Sequence, residues 1–226
     1  MALPNIRSIN LQSVELKECS EESDSQRVWL MPNGDIVELF LFEKPPNIKA
    51  NLANKEALTD FYQQMAHSVG ACIIEIGVYE VDGMSVIKLI TKYRQEPNQM
   101  IYIGNYTFPF RDFSYMVKVQ CPEREEITGI REAFAFSEAL ARGEVNISKS
   151  GEPYQWGEVQ FTKNGSKELV CNPSENELYD QVFPDHPLSR ARRMLKHLEK
   201  VICINPEVKI QPPFVYHPPR RPTWRF

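Results

Sequence analysis

The sequence predicts an α+β fold, an antiparallel sheet of about six strands with helices packed on it. Three patterns indicate this fold. An Asn33-Gly34 pair joins two β-prone runs, four strand-length runs follow one another between residues 72 and 121, and three segments have apolar residues at helical spacing. Asn-Gly accepts the positive φ angles of a tight hairpin turn. Short turns between consecutive strands favour antiparallel pairing.

The chain of 226 residues divides into four predicted segments. With 42% hydrophobic and 25% charged residues, its composition is ordinary for a folded protein. We expect an acidic N-terminal lead-in at 1–26 and an α+β core domain at 27–143. A C-terminal hairpin and a basic amphipathic helix occupy 144–205, and a proline-rich basic tail occupies 206–226.

The first elements of the core are a hairpin and a helix. Strands at 28–31 and 36–42 flank the Asn-Gly turn, and a helix over 54–68 begins at Asn54, a suitable N-cap, and ends before Gly70. One face of this helix carries apolar residues at a spacing near 3.6, namely Ala57, Leu58, Phe61, Met65 and Val69.

Four strands then complete the sheet, at 72–81, 84–93, 100–108 and 112–121. The last of them alternates, with Phe113, Tyr115, Val117, Val119 and Cys121 on one face and mostly polar residues on the other. Such alternation places one face on a core and the other nearer water.

A second helix and a second hairpin follow. The helix begins near Thr128, a good cap, runs through Ile130, Phe134 and Leu140, and ends at Gly143. The hairpin spans 154–171 around another Asn-Gly pair.

The third helix is basic. Pro187 occupies its first position, and an apolar stripe follows at Leu188, Ala191, Leu195, Leu198 and Ile202. Five basic residues accompany this stripe: Arg190, Arg192, Arg193, Lys196 and Lys200. They form either a face that binds an acidic partner, an anionic surface or nucleic acid, or a face that is solvated or paired internally with the acidic N-terminal run.

The proline-rich tail should be extended, without a regular element from Pro206 onward. It is either a strap that packs Phe214, Tyr216 and Trp224 onto the domain or a docking peptide for another protein. In the second case Arg220 and Arg221 belong to the binding residues.

The charge and the cysteine content of the chain indicate which partners and which cellular compartment to expect. A formal net charge of −4 argues against nucleic-acid binding. There is no signal-like N-terminus and no apolar run long enough for membrane insertion. Five dispersed cysteines without a CxxC pair indicate reduced thiols and a cytoplasmic protein.

The sequence contains no recognisable catalytic, metal-binding or cofactor-binding motif. The most suggestive cluster holds Asp180, Asp185, His186, Ser189 and Arg190, which includes a nucleophile, a base and an acid. Adjacency in sequence is weak evidence for a triad. The simpler interpretation is a helix start, with Asp185 or His186 as the N-cap.

The order of elements over residues 27–143 resembles the fold of the photosystem subunit PsbP and the Mog-type Ran-binding proteins. The hairpin at 30–35, the helix around Phe61, the Asp82-Gly83 turn and the strand at 115–121 carry this resemblance. It also extends to bacterial relatives, some of them adaptors in type VI secretion. The resemblance implies a non-enzymatic binding or adaptor role.

The prediction for function is therefore a non-enzymatic adaptor with a protein partner. Two alternatives stay open. One is an enzyme with a dispersed active site near Asp185 and His186, and the other is a structural subunit of a larger assembly.

Overall fold

Strands and helices follow one another in the order that the sequence predicts. The computed structural model describes residues 4–11, 16, 19–95, 99–124, 127–145, 159–161, 167–169 and 171–218. The strands are β1 (Ile9–Leu11), β2 (Glu21–Glu22), β3 (Gln26–Leu30), β4 (Ile36–Phe42), β5 (Cys72–Val81), β6 (Met84–Gln95), β7 (Gln99–Pro109), β8 (Ser114–Pro122), β9 (Val159–Phe161), β10 (Lys167–Leu169) and β11 (Ile202–Ile204). The helices are α1 (Lys55–Ser68), α2 (Ile127–Ala141), α3 (Pro187–Val201) and α4 (Pro206–Lys209).

Seven strands form one antiparallel sheet in the order β2-β3-β4-β8-β7-β6-β5. The pairs β1–β11 and β9–β10 form two small antiparallel sheets beside it. The α+β prediction is confirmed, and the main sheet has one strand more than the expected six because the short β2 extends its edge.

The Asn-Gly hairpin is confirmed between β3 and β4, where Leu30 pairs with Ile36. Gly34 has a φ of 70°, a conformation that glycine adopts without steric cost. The second predicted hairpin is present as the β9–β10 pair, and its Asn164-Gly165 turn lies outside the described residues.

The main sheet has two different faces, as the alternation in β8 predicts. Tyr115, Val117 and Val119 are fully buried on one of them, which we call the closed face. Met116 and Lys118 point to the other side, the open face, and are only half-buried. The larger of the two hydrophobic clusters among the described residues therefore lies on the closed face.

Helix α3 covers the closed face across β7 and β8. Its predicted apolar stripe is confirmed, since Leu188, Ala191, Leu195 and Leu198 are all fully buried. At Gly104 a Cβ atom would lie 2.6 Å from Cδ1 of Leu195, so the Leu195 side chain occupies the space that the glycine leaves free. Helix and strands share one hydrophobic cluster.

Helix α1 covers only part of the open face. Its N-cap is Asn54, as predicted, and Leu58 is buried. Farther along the same stripe, Met65 is 49% exposed and Val69 is 63% exposed. The apolar stripe of α1 is therefore longer than the surface that it covers.

Helix α2 begins one residue earlier than predicted, and Thr128 does not cap it. The Glu123 carboxylate accepts a hydrogen bond from the Thr128 amide at 2.8 Å instead. The buried side of α2 holds Arg131, Ala135 and Ala139, while Ile130 is 60% exposed.

The prediction that the tail has no regular element from Pro206 onward is wrong for the first residues of the tail. Pro206–Lys209 form one helical turn, α4, capped by Asn205. Beyond it the chain packs as a strap on the β7–β8 connection. The Arg111 amide donates to the Pro212 carbonyl at 3.0 Å, and Phe214 packs beside α1. Trp224, expected in this strap, lies outside the described residues.

Two cysteines that the sequence suggests to be reduced are joined. Cys72 at the start of β5 and Cys171 form a disulfide with their Cα atoms 6.0 Å apart. They are 99 residues apart in sequence, so spacing gave no indication of the pairing. Cys19, Cys121 and Cys203 are free thiols. Among the described helices, none is long and apolar enough to cross a membrane.

Candidate functional site

A groove of about 920 Å³ lies on the open face, and we call it the α1 groove. Its floor is the part of the open face that α1 leaves uncovered. One wall is α1, and the other is the chain that leaves β4 at residues 42–48. The groove exists because α1 packs against β5 at the sheet edge and not over the centre of the sheet.

The floor of the α1 groove crosses four neighbouring strands, β4, β8, β7 and β6. With strands about 4.8 Å apart, the floor spans about 14 Å. Met116 and Leu89 supply apolar surface, and Asn105, Thr107 and Thr91 supply polar groups.

The polar groups of the floor bond within the protein. The Thr107 hydroxyl is 3.4 Å from the Asn105 side-chain oxygen, and the Thr91 hydroxyl donates to the Ile103 carbonyl at 3.3 Å. On the wall, burial raises the pKa of Tyr62 to about 12, so its hydroxyl is neutral at physiological pH. The floor therefore provides a recessed surface with a few polar atoms. Its described residues include no pair of charged side chains that could act as a catalytic acid and base.

The rim of the α1 groove is apolar and exposed. Phe42 is 43% exposed on one wall, and Met65 and Val69 are exposed on the other. Lys44 and Glu43 are the charged residues among the lining side chains. An exposed apolar rim around a recessed floor is typical of an interaction surface.

The suggestive cluster at the start of α3 has no catalytic geometry. Nδ1 of His186 accepts a hydrogen bond from the Leu188 amide at 3.1 Å, which makes His186 the N-cap. The Ser189 hydroxyl donates to Asp180 at 3.0 Å and accepts from Arg131 at 2.7 Å. The base and the nucleophile therefore have separate structural partners.

The electrostatics of His186 agree with this conclusion. Burial, together with the positive charges of Arg131 and Arg190, lowers the pKa of His186 to about 2. An imidazole with so low a pKa is too weak a base to accept a proton from a serine near neutral pH. The N-cap interpretation accounts for both the contacts and the protonation state.

Two of the five basic residues predicted on α3 are not part of an exposed face. Arg190 is buried and forms a bidentate pair with Asp35, with bonds of 3.0 to 3.2 Å. Arg192 is 2.5 Å from Glu75 and 3.0 Å from Asp180. Arg190 and Arg192 are therefore paired internally with Asp35, Glu75 and Asp180, and not with the described acidic residues of the N-terminal run.

Arg193, Lys196 and Lys200 are exposed along one stripe of α3, on the side away from the core. Arg193 donates one hydrogen bond to the Pro184 carbonyl at 3.0 Å. Arg220 and Arg221, also predicted to bind a partner, lie outside the described residues.

The described residues bring together one group of potential metal ligands, Cys72, Cys171 and Glu175. The two sulfur atoms are bonded to each other in the disulfide. Glu175 accepts from the Asn172 amide at 3.0 Å and pairs with Lys92 at 2.5 Å. Every potential ligand of this group therefore already has a structural partner.

Sequence reasoning missed the α1 groove. Phe61, Met65 and Val69 belong to the apolar stripe predicted on one face of α1, and apolar residues at helical spacing usually indicate a buried face. The same spacing serves an exposed binding wall equally well. The Pro45-Pro46 pair after β4, which holds the opposite wall, was the one local signal of an irregular segment there.

Comparison with known proteins identifies no family for this chain. No protein-family model matches the chain, and no curated protein sequence matches it. Among solved structures, the crystal structure of LpqN, a protein involved in cell envelope biogenesis of Mycobacterium tuberculosis, has 12% identity and a TM-score of 0.28. The alignment covers 54% of this chain and 74% of that chain. A likeness at this level carries no argument about fold or function.

Proposed function

We propose that this protein is a non-enzymatic binding protein that holds an apolar helical segment of a partner protein in the α1 groove. The observation that carries the proposal is the recessed, mostly apolar floor with an apolar rim. A cavity of this kind, with a few polar groups, is a typical binding site. This agrees with the adaptor role predicted from the sequence and from the resemblance to PsbP and Mog-type proteins.

The rim favours a polypeptide over a small molecule. A small ligand on the floor would leave Phe42, Met65 and Val69 exposed around the mouth, whereas a helix lying across the mouth would cover floor and rim together. The floor spans about 14 Å, which corresponds to about nine residues of helix. Residues at i, i+3, i+4 and i+7 of such a helix would enter the groove.

A selection experiment tests the proposal. We expect a library of random 16-residue peptides to yield amphipathic helical sequences that bind the protein. A Met65→Glu/Val69→Glu double variant should bind them at least tenfold more weakly, since both changes place charge on the apolar rim. Both positions are exposed, so the variant should fold.

The matched control is Leu178→Glu/Ile210→Glu, which changes two apolar residues that are 77% and 82% exposed and lie away from the groove. Its affinity should stay within twofold of the unchanged protein. Equal binding by all three proteins would contradict the groove as the site. Native mass spectrometry that finds a small molecule in the groove, with no peptide enriched, would contradict a polypeptide ligand.

The proposal also covers the location of the protein, the class of its partner and a second contact surface. A cytoplasmic location was inferred from reduced thiols, and that premise does not hold for Cys72 and Cys171. We propose that the partner is a protein and not a nucleic acid, because the net charge of the chain is −4. The exposed stripe Arg193, Lys196 and Lys200 provides a second contact surface for acidic residues of the same partner.

A further inference from the structure

A small basic cavity of about 280 Å³ lies far from the α1 groove, at the start of α3. We call it the arginine pocket. Its lining comes from three parts of the chain: Asn33 of the β3–β4 turn, Arg124 and Ile127 at the start of α2, and Asp185, Arg190 and Arg193 at the start of α3. The pocket is at the beginning of β4 and the α1 groove is at its end, so the two sites are separate.

Arg190 forms a rigid wall of the arginine pocket. Its guanidinium is held by Asp35 and by the carbonyl oxygens of Pro122, at 2.7 Å, and Asp185. The side chain is 8% exposed, and its charge is balanced by Asp35. Arg190 therefore gives the pocket its shape, while the uncompensated charge comes from elsewhere.

Arg124 and Arg193 supply that charge. Arg193 uses one N–H group on the Pro184 carbonyl, which leaves the rest of its guanidinium available. Among the described residues, no ion pair involves Arg124, Arg193 or Asp185. Among the lining side chains and the ion-pair partner of Arg190, three guanidinium groups face two carboxylates, Asp35 and Asp185, which leaves one positive charge. Glu125 and Glu126 follow Arg124 in the sequence.

The β3–β4 turn makes room for Arg124. A Cβ atom on Gly34 would clash with Nη2 of Arg124, because the guanidinium lies directly against the glycine backbone. Gly34 therefore serves both the hairpin turn and the position of this side chain. The Arg124 guanidinium lies on this side of the cavity, and Arg193 on α3 is the other available cation.

We propose that the arginine pocket binds a phosphate group, free or as a small phosphate monoester. The planar N–H forks of arginine match the oxygen geometry of phosphate, and a dianion gains more than a monovalent anion from a pocket with net positive charge. The volume accommodates a phosphate group with a small substituent. This inference is independent of the α1 groove, although the pocket shares Arg193 with the exposed basic stripe of α3.

Titration of the full-length protein with inorganic phosphate, phosphoserine and sodium chloride at equal ionic strength tests the proposal. We expect phosphate and phosphoserine, but not chloride, to raise the melting temperature and to shift the amide NMR signals of Gly34 and Ile127. Arg124→Gln/Arg193→Gln should weaken phosphate binding at least tenfold. Neither side chain has a structural partner beyond Pro184, so this variant should fold.

The control variant is Lys196→Gln/Lys200→Gln, which removes two exposed charges from α3 outside the pocket. It should bind phosphate within twofold of the unchanged protein. Equal loss in both variants, or equal effects of chloride and phosphate, would overturn the proposal. Binding only to vesicles that contain phosphatidate, without binding of free phosphate or phosphoserine, would assign the surface to membranes and would also overturn it.

Discussion

At the residue scale, buried ionic groups fix the C-terminal part of the chain to the sheet. Arg131 is fully buried and donates hydrogen bonds to Ser189, Asp180 and the Ser174 carbonyl. Lys92 on β6 pairs with Glu175. Removing one partner of such a pair leaves a charge without compensation, which is costly in a buried position. The positions of these charges, and not only apolar packing, specify how the segment after Cys171 docks.

His186 makes stability depend on pH. Its pKa is about 2 in the folded protein and near 6.5 when exposed. Below pH 6.5 the unfolded chain therefore binds a proton that the folded protein does not, and stability falls as the pH falls. The loss should approach about 1.4 kcal/mol per pH unit well below pH 6.5, and it should amount to roughly 2 kcal/mol between pH 6.5 and 4.5.

Urea unfolding of the His186→Asn variant across this pH range checks the prediction. Asparagine retains an N-cap acceptor but does not titrate. The variant should therefore show a flatter dependence of unfolding free energy on pH. His217→Asn, at an exposed position, is the control and should keep the full slope. The same slope in all three proteins would show that another group is responsible.

At the element scale, α3 is divided between packing and charge pairing. Arg192 links the helix to Glu75 on β5 and to Asp180, with its side chain only 13% exposed. Burial alone would raise the pKa of Glu75, but Lys88 and Arg192 hold it below its ordinary value. The favourable interaction in the folded protein thus outweighs the loss of solvent.

We expect Arg192→Gln to lower the free energy of unfolding by about 2 kcal/mol, because Glu75 and Asp180 each lose a partner. This corresponds to roughly 4–8 °C in melting temperature for a chain of this size. Lys200→Gln on the same helix should change stability by less than about 0.5 kcal/mol. Thermal melts of both variants test this prediction. If Arg192→Gln is as stable as Lys200→Gln, the ion pairs of Arg192 make no net contribution to stability.

The elements that could be predicted from sequence are those with a local signal. Apolar residues repeat at the period of a helix at Leu188, Ala191 and Leu195. The Asn33-Gly34 pair indicates a turn from its own two residues. The pairing of Arg190 with Asp35 joins residues 155 positions apart, so no local pattern indicates it. Met65 on the groove wall has the same period as a core residue. Its exposure depends on where α1 docks, which is a property of the assembled fold.

At the scale of the whole molecule, the Cys72–Cys171 disulfide closes the largest covalent loop in the described structure. It joins the edge strand β5 to the segment that leads into α3. In the chain-entropy model a loop of about 100 residues stabilises the folded state by about 4–5 kcal/mol. The bond therefore contributes a large part of the net stability expected for a domain of this size.

Reduction should lower the melting temperature by roughly 10 °C or more. Cys72→Ser should reproduce the effect, and a reducing agent should then have no further influence on it. Cys203→Ser, which removes an exposed free thiol, is the matched control and should melt as the unchanged protein does. Rapid alkylation during extraction from native cells would show whether the bond exists there. Full alkylation of Cys72 and Cys171 would support the cytoplasmic prediction, and protection of both would contradict it.

The position of α3 in the chain has a consequence for synthesis on the ribosome. The sheet is complete in sequence at Pro122, but the helix that covers its closed face ends at Val201. At about 5–20 residues per second, roughly 4–16 seconds separate these two points during translation. Throughout that interval Tyr115, Val117 and Val119 have no helix to pack against, so the nascent sheet presents its most apolar surface to the cell. Chaperones that recognise apolar strands would meet this protein before α3 emerges, and release from them would coincide with the docking of Leu188, Ala191 and Leu195.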